Sequence, residues 1–140
     1  IIIMENNDYY IQQKPTLSMS QAVSNVFDKY ATFSGRARRS EYWWYWLFYL
    51  LVLLMAIFLD NFLGIAFDYL GYGPIYAFAA LGLILPSWAV AVRRLHDINK
   101  SGWNLLWSLV PILGAILLLI WVCTDSDRSA NRYGESPKYI

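Results

Sequence analysis

The chain is 140 residues long, 58% apolar and only 15% charged, with a formal net charge of +1. Soluble domains carry about 25% charged residues, so this chain cannot cover a water-exposed surface of its size, and its near-neutral balance excludes nucleic acid as a main partner. Its single cysteine, Cys123, excludes an intrachain disulfide and a thiolate metal cage, and no metal or other cofactor is expected.

Residues 4–16 are polar, contain Pro15 and show no periodicity, which predicts a flexible tail over 1–17. Ile1–Ile3 precede Met4, so a native start at Met4 is expected, and no apolar stretch in this region leads to a signal cleavage site. From Ser18 the pattern changes. Met19, Ala22, Val23, Val26, Phe27, Tyr30 and Phe33 recur at helical spacing, predicting an amphipathic helix over 18–34 capped at Ser18 or Ser20. Packing on the rest of the protein and lying in a membrane interface both fit it.

Three uncharged runs follow, at 42–59, 74–92 and 103–122. As helices they measure about 27 to 30 Å, near the ~30 Å hydrocarbon thickness of a bilayer. Three helices apolar all round leave too little chain to wrap them in water. The expected fold is therefore all-α and integral to a membrane, one domain over 18–138, with three transmembrane helices preceded by the amphipathic helix and followed by a polar tail at 123–140. Pro86 removes a backbone bond to Gly82 and should kink the second span; Pro111 and Gly114 mark a bend in the third.

Lys and Arg concentrate on the cytoplasmic side of short loops. Five precede the first span, none lies between 60 and 73, and three (Arg93, Arg94, Lys100) follow the second. A cytoplasmic N-terminus follows. Three full crossings would put Arg128, Arg132 and Lys138 outside, against the rule. A re-entrant third segment turning at 111–114 would return the tail to the cytoplasm, but three crossings are the preferred count.

Arg93-Arg94-Leu95-His96-Asp97 is the most charged stretch. On a helix Asp97 stands four residues from Arg93 and three from Arg94, close enough to hold either guanidinium or to orient His96 as a base. Arg36, Arg38 and Arg39 reach the same interface, with Glu41 three residues past Arg38. Arginine forks suit phosphate, and anionic lipid headgroups lie at that surface; setting topology explains them as well. No ionisable residue falls inside a span, so a proton relay is unsupported. Asp125 and Asp127 read as solvated tail residues.

Gly35-Arg36-Ala37-Arg38-Arg39-Ser40-Glu41-Tyr42-Trp43, then Arg93-Arg94-Leu95-His96-Asp97 with Ser101-Gly102-Trp103, then Asn131-Arg132-Tyr133-Gly134 and Pro137, in this order between apolar spans, resemble the bacterial inner-membrane family called domain of unknown function 805, over about residues 25–138. The resemblance implies a multi-pass protein of the bacterial cytoplasmic membrane and no particular reaction. It also suggests that Glu41, His96, Asp97, Asn131 and Arg132 organise Arg36, Arg38, Arg39, Arg93 and Arg94 into one anion-binding surface. The expected function is non-enzymatic: a cytoplasmic arginine-rich face contacting anionic phospholipid or a partner membrane protein. The alternatives are an oligomeric small-solute transporter or channel subunit, and a lipid-headgroup enzyme using His96 and Asp97.

Overall fold

Among residues 12–140, which the computed structural model describes, the chain forms four α-helices and one 3-10 helix, and no strand. The helices are α1 (Met19–Asp28), α2 (Arg39–Phe62), α3 (Pro74–Asp97) and α4 (Leu113–Cys123), with the 3-10 helix at Gly102–Leu109 before α4. The tail expected over 1–17 lies, for residues 1–11, outside the described part. Residues 12–14 run antiparallel to the C-terminus, with the Lys14 N–H on the Lys138 carbonyl at 2.7 Å and the Ile140 N–H on that of Gln12 at 2.9 Å.

α1 begins where Ser18 accepts from the Gln21 backbone N–H while the Gln21 side chain returns a bond to the Ser18 N–H, a reciprocal cap. It buries Ala22 and Val26 against α2 and α3 and stops at Asp28, six residues short of the expected end. Phe27, Tyr30 and Phe33 stay exposed beside it.

α2 and α3 are each 24 residues and apolar enough to cross a membrane. Their outer faces expose Met55, Phe58, Phe62, Phe78 and Leu81, while Arg93, Arg94 and Asp97 are wholly buried. Water-soluble proteins distribute polarity the other way. The connection between the two helices is tied by Asp60, whose carboxylate accepts from the N–H groups of Gly73, Ile75 and Tyr76 at 2.8, 3.0 and 3.0 Å and so caps α3 across the loop. Gly73 is needed there: a Cβ would come within 2.8 Å of the Ile65 carbonyl oxygen.

α3 runs on through Pro86. Proline lacks the N–H that would bond Gly82, and in hydrocarbon an orphaned carbonyl costs several kcal/mol, of order 2–7. The Tyr30 hydroxyl donates to that Gly82 carbonyl. One residue on, the Leu83 carbonyl accepts from Tyr45 at 3.0 Å and from Ser87 at 2.6 Å. The break is thus covered by side chains from α2, α3 and the segment after α1.

The third apolar segment corrects the expectation of one helix over 103–122. Eight residues of 3-10 helix and eleven of α-helix are separated at Val110–Ile112. Ile112 has φ 65° and ψ −66°, and the Leu113 N–H closes onto the Pro111 carbonyl at 2.7 Å, a γ-turn that costs a β-branched residue about 1–3 kcal/mol. The limbs fold back on each other. Gly114 lies so close to Trp107 that a Cβ would fall 1.6 Å from its carbonyl oxygen, and the Lys100 ammonium sits 4.7 Å above the Trp121 ring. Each limb is about 16 Å long, half the hydrocarbon thickness.

Candidate functional site: a buried arginine cap

The end of α3, the loop before α2 and the tail after α4 meet in one polar cap. Asp97 is its centre. One carboxylate oxygen accepts from Arg36 Nε at 3.0 Å; the other accepts from Arg94 Nη1 at 2.6 Å and from the Ser126 hydroxyl. The Asp97 backbone also takes part, with its carbonyl accepting from the Asp127 N–H at 3.1 Å.

Arg36 uses all five of its N–H donors internally. Beyond Asp97 Oδ1 it reaches the carbonyls of Ser129, Gly134, Asp97 and Asp127 at 2.8–3.1 Å. Arg94 donates to the carbonyls of Val122, Ala37 and Thr124, which pins the end of α4 to the end of α3. Arg93 pairs with Glu41 on α2 at 3.4 Å, and its Nε and Nη2 have no partner among the described residues. Arg38 donates to the Pro15 carbonyl at 2.8 Å; burial pulls its guanidinium down from the ordinary value, against Asp97 and Asp125, yet an arginine stays charged.

Asn131–Gly134 is a tight turn closed by reciprocal backbone bonds of 3.0 Å. Asn131 donates to the His96 carbonyl and to Asp127, and Arg132 to the Asn99 carbonyl. The turn lays the Tyr133 ring flat on His96, centroids 3.7 Å apart, while His96 Nδ1 faces the Gly35 carbonyl at 3.0 Å. Asp97 does not touch His96. The carboxylate is taken up by two arginines and a serine, so the acid–imidazole pair that the enzymatic alternative needs is not formed. Among the described residues no group of three His, Cys, Asp or Glu is placed to hold a metal ion.

Outside this buried centre lies a clasp. Asp125 accepts from Arg39 Nη2 at 3.1 Å, from Lys138 at 2.7 Å and from the Tyr139 hydroxyl. Burial alone would raise this carboxyl, but the bonds from Lys138 and Tyr139 and the ammonium charge outweigh it and hold it well below the usual carboxylate range.

A family model, Protein of unknown function (DUF805), matches residues 30–135, which take in the whole cap up to the Asn131–Gly134 turn. The chain belongs to this family. The DUF805 chain is 40% identical over 116 residues to the inner membrane protein YhaI of Escherichia coli K12, covering 82% of this chain and 93% of that one. It is 35% identical over 113 residues to the inner membrane protein YhaH of the same strain, covering 81% and 93%. No solved structure matches.

In this DUF805 protein the three polar motifs do come together. They make an interior rather than the anion-binding surface expected of them: Arg36, Arg38, Arg93 and Arg94 are buried, and Arg39 keeps 43% of its side chain exposed. Glu41 holds Arg93, and Asp97 holds Arg36 and Arg94. Asp125, expected to be a solvated tail residue, instead closes the clasp on Arg39, Lys138 and Tyr139, and the parts played by Ser126, Tyr133 and Lys138 were not foreseen in the sequence. Of these, Tyr133 stood inside a motif already noticed, and an aromatic between arginine and glycine in a turn was the available signal.

Proposed function

We propose that this DUF805 chain is a non-enzymatic inner-membrane protein that crosses the bilayer twice, enters it a third time as a hairpin from the cytoplasmic side, and presents a basic cytoplasmic rim to anionic lipid. The observation that carries the reading is the placement of charge. All 11 Lys and Arg belong to segments joined at the cap end, whereas the 60–73 connection at the other end holds Asp60 and Asp68 and no Lys or Arg. By the positive-inside rule the cap end is cytoplasmic, and both termini with it. A re-entrant hairpin removes the conflict that the tail's three cations raise against three crossings. The names of YhaI and YhaH support the inner membrane as the compartment.

Within this reading α1 lies in the cytoplasmic interface with Phe27, Tyr30 and Phe33 toward the acyl chains. His96 and Asp97 are structural, being committed to Gly35, Tyr133 and the arginines. Lipid contact falls to the exposed cations Arg39, Arg128 and Arg132. Topology reporters fused at the C-terminus and inserted near Asp68 should report cytoplasm and periplasm respectively; a periplasmic C-terminus overturns the hairpin. Replacing Arg39, Arg128 and Arg132 together with Gln should lower the anionic lipid that co-purifies, and unchanged lipid content overturns the rim.

A further inference from the structure

We infer that the seam between α2 and α4 is a binding site for one anionic phospholipid, with its phosphate on Arg39 and Lys138 and an acyl chain along Trp44 and Leu47. The inference rests on the lipid reading above and gives it a single address. Two cavities meet at this seam. One, of about 500 Å³, is lined by Arg39, Ser40, Trp43, Trp44, Leu47 and Cys123 and is mostly apolar. The other, of about 240 Å³, shares Arg39 and Ser40 and adds Arg38, Lys138, Gln13 and Thr16. An oily groove joined to a polar chamber is the shape of a two-part molecule, and the combined space falls within the range of small-ligand sites.

Charge decides which two-part molecule. Among the described residues the charged side chains lining the two cavities, Arg38, Arg39 and Lys138, are all cations, and the one carboxylate that reaches them, Asp125, leaves the group positive. Arg39 spends two of its five N–H donors on the Cys123 carbonyl and Asp125, so three remain for a phosphate. The polar chamber also lies at the start of α2, a 24-residue helix whose N-cap, Arg38, provides no side-chain acceptor for the free N–H groups of the first turn. A headgroup oxygen would meet these free N–H groups at the helix end. Trp43 and Trp44 stand at the depth where indole rings prefer the boundary between headgroups and chains, which sets the phosphate beside them and the acyl chain below.

Cys123 lines the groove, is exposed, and is the only cysteine of the chain, so it reports occupancy directly. The wild-type protein in nanodiscs of phosphatidylethanolamine with phosphatidylglycerol should react with N-ethylmaleimide at Cys123 roughly tenfold more slowly than in phosphatidylcholine alone, the equivalent of one charge-assisted hydrogen bond in affinity. Native mass spectrometry from detergent should show a single phosphatidylglycerol retained, lost when Leu47→Trp fills the groove and kept when Arg128 and Arg132 become Gln. Equal protection by phosphatidylcholine overturns the anionic assignment. Retention of phosphatidylglycerol in Leu47→Trp, with no lipid effect on Cys123, overturns the groove and leaves the basic rim standing. Absence of any anionic preference in every variant removes the rim and the groove together.

Discussion

At Asp97 two buried guanidinium groups share one carboxylate, and removing that charge leaves both without it. Breaking such a buried pair by deleting one partner costs about 3–5 kcal/mol. Asp97→Asn should therefore lower thermal stability in detergent by that order, read from tryptophan fluorescence on heating. Asp125 makes a separate prediction. Its folded carboxyl sits below the ordinary value, so its contribution is complete above about pH 4 and is lost as pH falls through the folded value. The stability difference between wild type and Asp125→Asn should be largest near neutrality and shrink toward zero in acid. The Arg94–Asp97 pair was legible beforehand, because helix geometry puts residues three apart on one face. The five bonds of Arg36 were not: four of its acceptors are backbone carbonyls, and since every residue carries one, no residue type announces them.

Among the elements, α2 and α3 were legible from uncharged runs bounded by charge, which need only length and composition. The third run was equally apolar, but its shape depends on contacts that composition does not encode: Arg94 on the Val122 carbonyl and Lys100 on Trp121 draw its far end back. Gly114 is the residue that lets the limbs close. Gly114→Ala should cost about 1–3 kcal/mol as an overpacked backbone contact and speed amide exchange over residues 102–114. Gly82→Ala is the matched control, because a Cβ there meets nothing within 4 Å, and it should be neutral or slightly stabilising. The Pro86 break allows a coupled test. Tyr30→Phe should cost about 2–3 kcal/mol by orphaning the Gly82 carbonyl. In a Pro86→Ala background, where a backbone N–H returns to that carbonyl, the same change should cost little; equal losses in both backgrounds would show that the Tyr30 hydroxyl does not act by covering the Pro86 break.

On the scale of the whole molecule, Lys and Arg gather at one end and apolar side chains cover the outer faces of α2 and α3, so the fold is organised around a charged plug at the head of two oily columns. The plug draws on parts far apart in the chain, and Arg36 waits on carbonyls as late as Gly134. Until Ser129 and Gly134 have been synthesised, its guanidinium lacks a complete set of acceptors and the cap that joins the start of α2 to the end of α3 cannot close. Order of manufacture thus becomes order of closure: the 127–134 stretch is the stopper, and a chain cut before it would leave the heads of α2 and α3 uncorked.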